Sequence, residues 1–310
     1  MFWAPTGKPD RQAENLLLPF GFVQAEPMTG NAVDGCIVLH CRLPYLRRGR
    51  FMMCACDQKR TETGGTNMAP RFRTDFTVSA HDTDANGVCR ASCILRYLQE
   101  AANQQLYHLG PTPKDLENPP RAFVISRLSM DILEPLTDYD KGYATSWPLP
   151  SRGVCFDRHY ELFCNDKPVA RAVSQWALLD VTDKKLLHVE DMPFHYARNE
   201  QMQVKLPIRM RIPKEISMEP VGKKEVRYED IDKNQHMNNT NYPNLFCDFL
   251  PMQNQRVKHI SINFSHEAPL GEVLTLYRGF DLEQNIWYLR SFKGDGSINA
   301  EAAVVLCEIR

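Results

Sequence analysis

The chain contains two copies of one residue pattern, separated by a constant offset of 148 positions, the difference between Val226 and Val78. In each copy a valine is followed after four, six and eight positions by Asp, Asp and Asn. The pattern consists of Val78, Asp82, Asp84 and Asn86 in the first copy and of Val226, Asp230, Asp232 and Asn234 in the second. A period this long does not suit the short units of a solenoid and indicates a duplicated domain whose copies pack together.

Later features of the two copies follow in the same order along the chain. Pro135-Leu136 corresponds to Pro269-Leu270, and the turn at Asn165-Asp166 corresponds to Gly294-Asp295-Gly296. The last strand of each copy is predicted over residues 169–179 and 298–309. These landmarks support the prediction of one fold present twice.

The first copy shows one long helix among strands. The alternation of Phe72, Thr74, Phe76 and Val78 predicts a strand. Apolar residues at helical spacing predict a helix that is capped by Ser92 and ends at Gly110. Further strands are predicted over residues 122–133, 143–147, 156–163 and 169–179. The order is therefore strand, one long helix and several antiparallel strands.

Four segments are predicted along the chain. Residues 1–70 show little sustained periodicity and end in a polar stretch, which predicts a poorly structured N-terminal extension. Met68 directly follows that stretch and is a candidate for the natural first residue, in which case the extension is not native. The two copies then occupy residues 71–181 and 223–310, and residues 182–222, rich in Pro and Lys/Arg, form a linker between them.

Charge and composition exclude several classes of function. The chain has 37 Lys and Arg residues against 38 Asp and Glu residues, so it has no net basic field to attract nucleic acid. No apolar run reaches the roughly 18 to 20 residues that a membrane-spanning helix needs. The ten cysteines include no C-x-x-C pair, and we expect reduced thiols in the cytoplasm.

A candidate site lies in the second copy, where His236 replaces the Val88 of the first copy. In an extended or loop segment, Asp232, Asn234 and His236 project towards one face because they are two positions apart. A helix that starts at Asn238-Asn239 would direct free backbone N–H groups at an oxyanion beside His236. Glu267 follows a predicted apolar strand at residues 260–264 and adds an acid to the set.

The segment from Asp232 to Tyr242, together with Glu267, closely resembles the active-site motif of the acyl-ACP thioesterases of plants and bacteria. The first copy resembles the bacterial branch of this family at residues 83–87, 94–102, 124–128 and 170–176. The resemblance covers residues 72–310 and leaves only the N-terminal extension outside.

The resemblance implies an α+β fold of two hotdog domains in tandem, each a long central helix wrapped by an antiparallel β-sheet. It places catalysis in the second copy and the accommodation of the acyl chain largely in the first. Plant members commonly carry Arg-Glu-Cys at the late strand, whereas this chain has His266-Glu267-Ala268. A cysteine nucleophile at position 268 is therefore impossible, which favours direct attack by water.

The implied activity is hydrolysis of the thioester of fatty acyl-ACP, which releases the free fatty acid and ends chain elongation. As a hypothesis, Glu267 is the general base for water and His236 assists proton transfer. Asn234 orients the substrate or water, and Asp232 fixes the local hydrogen bonds. Backbone N–H groups near Asn238 and Asn239 face the oxyanion. The sequence does not separate base from nucleophile among Asp232, His236 and Glu267.

No cofactor or metal is expected. The chain has no G-x-G-x-x-G, Walker or G-x-S-x-G sequence. Asp82 to Gly87 matches the opening of a calcium loop, but the twelfth position is Cys93 instead of Glu. His266-Glu267 begins like a zinc-protease motif, but Leu270 stands where the second His is needed.

Other readings stay open at this point. An acyl-CoA thioesterase of the same fold would use the same residues, and kinetics on the two thioesters would separate them. A non-catalytic acyl-binding double hotdog would show no thiol release. A hotdog dehydratase has less support, because the first copy has no second active-site pattern of that type. Acyl chain length is not readable, and the chain is a monomer or a homodimer.

Overall fold

The computed structural model describes residues 71–192, 199 and 204–309. The predicted N-terminal extension, the candidate start at Met68 and part of the linker lie outside these residues. Both predicted copies lie within one compact unit. No helix in the described part of the chain is both long and apolar enough to cross a membrane.

The elements follow the predicted order in the first copy. These are β1 (Phe72–Thr77), α1 (Ala91–Leu109), β2 (Arg121–Ile132), β3 (Lys141–Pro148), β4 (Phe156–Cys164), β5 (Lys167–Asp180) and the short β6 (Lys185–Leu187). The second copy contains β7 (Glu219–Glu225), α2 (Tyr242–Cys247), β8 (Gln255–Phe264), β9 (Val273–Asp281), β10 (Ile286–Phe292) and β11 (Ile298–Glu308). The predicted strands are confirmed with small differences at their ends.

The strands form one antiparallel sheet in which the two copies have the same strand order. The order is β1-β3-β4-β5-β2 in the first copy and β7-β9-β10-β11-β8 in the second, and β6 pairs with β5. The sheet is continuous because β2 pairs with β8 at the seam. This arrangement, a large antiparallel sheet with few helices, agrees with the predicted α+β class.

The seam between the copies is symmetric about one pair of residues. Ser129 of β2 lies opposite Ser261 of β8, and their hydroxyl oxygens are 3.0 Å apart. His259 extends this contact, because its Nδ1 lies 2.7 Å from Asp131 Oδ1 and its Nε2 lies 2.9 Å from Ser261 Oγ. A chain of polar contacts therefore joins the two copies at the centre of the sheet.

Helix α1 lies on one face of the sheet and supplies much of the core. Its residues Ile94, Leu95 and Leu98 are at most 1% exposed and belong to an apolar cluster that contains residues of both copies. Removing such side chains from water is the main favourable contribution to folding. One core therefore serves both halves of the sheet.

Two helix predictions need correction. Helix α1 ends at Gly110 as predicted, but its N-cap is Arg90 instead of Ser92, which lies fully buried inside the first turn. The predicted long helix of the second copy is wrong, because α2 has only six residues. Pro251 explains the early end: it lacks a backbone N–H and disfavours helical backbone at the residue before it.

The described part of the predicted linker contacts both copies. Val204 N donates a hydrogen bond of 2.9 Å to His159 Nδ1 of β4, and Asn263 Nδ2 of β8 donates one of 3.0 Å to Met210 O. Burial lowers the pKa of His159 to about 4, so this imidazole is neutral near pH 7 and its Nδ1 can accept the bond. The described part of the predicted linker is therefore hydrogen-bonded to strands of both copies.

We expect His159 to make folding stability depend on pH. Its pKa is lower in the folded chain than the ordinary value of 6.5, so acid favours the unfolded chain, which binds the extra proton. The free energy of unfolding should fall between pH 6.5 and pH 4 by up to about 3 kcal/mol. Denaturant titrations across this range measure the fall. In H159N this component should disappear, and an unchanged pH dependence in H159N would contradict the assignment.

Candidate active site

The repeated sequence forms the same turn twice. In the first copy, Asn86 N donates to Asp84 Oδ1 at 2.8 Å, and in the second Asn234 N donates to Asp232 Oδ1 at 2.8 Å. The ends of the two turns match as well: Arg90 N donates to Asp82 O and Asn238 N donates to Asp230 O, both at 2.9 Å. Four positions of the two turns thus form the same hydrogen bonds at the offset of 148 found in the sequence.

One sequence landmark is placed differently. Cys89 N of the first turn donates to Leu136 O at 2.7 Å, and Met237 N of the second turn donates to Ala268 O at 2.8 Å. Ala268 is therefore the counterpart of Leu136, and both are buried, whereas Leu270 is 54% exposed. The backbone hydrogen bonds, and not the Pro-Leu sequence found in both copies, show which residues of the two copies correspond. As a result, Glu267 occupies the place of Pro135.

The pairing of the second turn with residues 268–269 brings His236 next to Glu267. His236 forms an isolated antiparallel bridge with Pro269. His236 Nε2 lies 3.5 Å from Glu267 Oε1, and the two side chains are 29% and 66% exposed. Both groups thus meet at a surface that water and substrate can reach, at a distance typical of acid–base pairs before substrate binds.

Asp232 and Asn234 have different environments. Both carboxylate oxygens of Asp232 are used within the turn, since Oδ1 accepts from Asn234 N and Oδ2 accepts from Asn238 Nδ2 at 3.2 Å. Asn234 is exposed, and its side chain has no hydrogen bond to any residue that the structure describes. Gln235 has a φ of 66°, so the segment is a tight turn instead of an extended strand. Asp232 therefore shapes the turn, while the Asn234 amide is available to a ligand.

The prediction that the Asn238 N–H faces an oxyanion is wrong. Its backbone N–H donates to Asp230 O, because the turn closes on itself as it does in the first copy. Its side-chain Oδ1 caps the following 3-10 turn by accepting from Thr240 N and Thr240 Oγ1. The N–H of Asn239, the first residue of that turn, has no acceptor among the described residues. Of Asn238 and Asn239, it is therefore Asn239 whose N–H is available for an oxyanion.

The sequence did not single out a buried polar group behind Glu267. Asn299 of β11 is fully buried, and its Nδ2 donates to Tyr242 Oη at 2.9 Å and to His266 O at 2.6 Å. Burial, and to a smaller extent the charge of Glu267, raise the pKa of Tyr242 to about 12. Asn299 lies near the start of a largely apolar strand, and this polar residue is the signal that could have identified it.

Two cavities lie beside the repeated turns. A cleft of about 880 Å³ opens at the first turn and is bordered by Val88, Pro135 and Leu245. A recess of about 530 Å³ lies between α1 and the second turn, where Tyr97 and Glu100 face Ile231 and Asn238. His236 and Glu267 line neither of these two cavities; the smaller recess reaches Asn238 of the second turn, and the larger cleft reaches Met237. Within the described residues, no cluster of three or more His, Cys, Asp or Glu could hold a metal ion.

Similar proteins agree with this architecture. A crystal structure of an acyl-ACP thioesterase from Bacteroides thetaiotaomicron matches with a TM-score of 0.67 at 21% identity, covering 76% of this chain and 97% of that chain. A putative oleoyl thioesterase from Lactobacillus plantarum matches with a TM-score of 0.64 at 16% identity, covering 78% of this chain and 98% of that chain. The 12:0-ACP thioesterase from Umbellularia californica matches with a TM-score of 0.62 at 15% identity, covering 77% of this chain and 98% of that chain. These likenesses show a shared fold.

Family models make a more specific match. The model of the acyl-ACP thioesterase N-terminal domain matches residues 70–194, and the model of the acyl-ACP thioesterase C-terminal domain matches residues 214–304. Together they cover more than two thirds of the chain and include both repeated turns. The chain therefore belongs to the acyl-ACP thioesterase family.

Proposed function

We propose that the second copy holds the active site of this thioester hydrolase, with His236 and Glu267 at its centre. Membership of the family makes the protein an enzyme that hydrolyses fatty acyl-ACP and releases the free acid. The observation that carries the site assignment is the 3.5 Å contact between His236 Nε2 and Glu267 Oε1, which the first copy replaces by Val88 and Pro135.

The reaction needs an activated water and a stabilised oxyanion. Glu267 is exposed enough to hold a water molecule and take its proton as the water oxygen attacks the thioester carbonyl. The Asn239 N–H can donate to the resulting oxyanion, and the Asn234 amide can orient the acyl group or the water. When the C–S bond breaks, the proton passes to the leaving thiolate of the carrier, with His236 beside Glu267 to assist the transfer. Residue 268 is Ala, so no thiol at that position can form an acyl-enzyme.

The fold and its division are part of the proposal. We assign a tandem double hotdog with the first copy at residues 71–187, the linker at 188–218 and the catalytic copy at 219–310. The linker is shorter than the predicted range of 182–222, because β6 pairs with β5 and β7 pairs with β9. The equal strand order of the two copies and the packing of α1 against the sheet support this assignment. The second helix is short, so the second copy would be a hotdog with a reduced central helix.

The cellular setting and the partner follow from the same assignment. ACP with its fatty acyl thioester is the expected partner, and accommodation of the acyl chain in the first copy stays a prediction. A cytoplasmic location is supported by the six cysteines that the structure describes as free thiols, which is the usual state in a reducing compartment.

A panel of acyl-ACP thioesters of different chain lengths, with profiling of the released acids, tests the function. We expect acyl-ACP to be hydrolysed with a higher kcat/KM than the matching acyl-CoA. A preference for acyl-CoA would identify a CoA thioesterase of the same fold. Absence of thiol release from every thioester would contradict the proposed function and leave a non-catalytic acyl-binding protein.

A further inference from the structure

Glu267 lies between two anchored positions of the backbone. On one side, Ser265 N and His266 N both donate to Asn299 O, at 2.9 and 3.1 Å. On the other side, Ala268 O accepts from Met237 N of the catalytic turn. Glu267 therefore stays near His236 only while both anchors hold.

The Asn299 side chain strengthens the first anchor. Its Oδ1 accepts from Ser291 Oγ at 2.9 Å, and its Nδ2 donates to His266 O. A carbonyl can only accept, so the contact with His266 O fixes which end of the amide is Nδ2. The second Nδ2 hydrogen is directed at Tyr242 Oη. The amide therefore joins α2 to the residue that precedes Glu267.

The first copy has an apolar pair at the same places. Val169 O accepts from Leu133 N and Glu134 N, as Asn299 O accepts from Ser265 N and His266 N, so Val169 corresponds to Asn299. Ile94 corresponds to Tyr242 at the offset of 148. Both Val169 and Ile94 are buried. The fold thus tolerates apolar residues at these places, and the polar pair occurs in the copy that contains His236 and Glu267.

We propose that Asn299 and Tyr242 are positioning residues that hold the backbone before Glu267, and thereby keep the Glu267 carboxylate in contact with His236 for thioester hydrolysis. This inference rests on the proposed function, since it acts through Glu267. The phenol remains protonated in the working range because its pKa is about 12, so the Tyr242 oxygen accepts from Asn299 at neutral pH.

The variant Y242F tests the proposal with little disturbance, because it removes only the hydroxyl. We expect kcat on acyl-ACP to fall about tenfold and KM to change less than about twofold, as a displaced general base slows chemistry more than binding. The variant N299V copies the first-copy residue and should show a similar or larger loss. Y288F, which removes the hydroxyl of another buried tyrosine of the second copy, is the matched control and should keep the wild-type kcat.

A double-mutant cycle separates positioning from general stability. If Tyr242 acts through Glu267, then Y242F should cause no further loss in an E267Q background. Equal losses from Y242F in both backgrounds, or a lower melting temperature with an unchanged kcat per folded molecule, would overturn the inference. Full activity of E267Q alone would instead reject the proposed site, so the two failures are distinguishable.

Discussion

The variant E267Q is expected to hydrolyse acyl-ACP at least about 10² times more slowly than the wild type, which is the usual size of a lost general base. Glutamine has almost the same shape as glutamate but cannot take a proton from water. Since Glu267 is 66% exposed and pairs with His236 at 3.5 Å, the change should leave the surrounding contacts in place. Steady-state kcat with acyl-ACP, together with the melting temperature, measures the effect.

The duplication supplies a control for this experiment. Glu134 is an exposed glutamate at the corresponding bend of the first copy, one position before the counterpart of Glu267. E134Q removes the same charge from the same kind of bend, and its kcat should equal that of the wild type. Comparable losses in E134Q and E267Q would mean that charge at the bends, not proton transfer at Glu267, controls the rate.

The variant D232A is expected to lower kcat by about 10-fold to 100-fold, because small displacements of reacting groups have costs of this size. Asp232 accepts hydrogen bonds from Asn234 N and Asn238 Nδ2, and so fixes the turn that presents Asn234 and His236. Alanine leaves both donors without this acceptor and loosens the turn. Hydrolysis of acyl-ACP by the folded variant measures the loss.

Asp84 provides the matched comparison for Asp232. Its Oδ1 accepts from Asn86 N at 2.8 Å and from Val88 N at 3.3 Å, in a turn of the same shape that lacks a histidine. D84A should therefore lower the free energy of unfolding by about 1–3 kcal/mol, the cost of unmade hydrogen bonds, and retain the wild-type kcat. If D84A and D232A lose activity equally, both turns act by stabilising the fold, and the turn that contains Asp232 has no separate role in catalysis.

Local signals predicted most of the secondary structure. The alternation of Phe72, Thr74 and Phe76 identified β1, and Gly110 ended α1 with a φ of 80° that favours glycine. The same reasoning was wrong where tertiary contacts intervened. Ser92 is a good capping residue by type, but the turn before α1 places Arg90 at the cap and buries Ser92 in the core.

In the candidate site, too, some residues are brought together by local sequence and one is placed by tertiary contacts. Asp232, Asn234 and His236 lie within five positions, and the turn that joins them is closed by its own hydrogen bonds, so their proximity follows from local sequence. Glu267 is a candidate acid because it follows an apolar strand, and the family resemblance groups it with His236. Nothing in the intervening residues determines where the chain returns. The pairing of Met237 with Ala268 provides that return.

The residue pattern alone established that the chain is duplicated and that only the second copy carries an acid, an amide and an imidazole in one short turn. Such patterns are visible because residues close in sequence interact through short-range backbone geometry. The contact of His236 with Glu267, and the support of that contact by Asn299 and Tyr242, arise when β8, β11 and α2 pack together. Long-range contacts of this kind depend on strand register and core packing, which no local run of residues specifies.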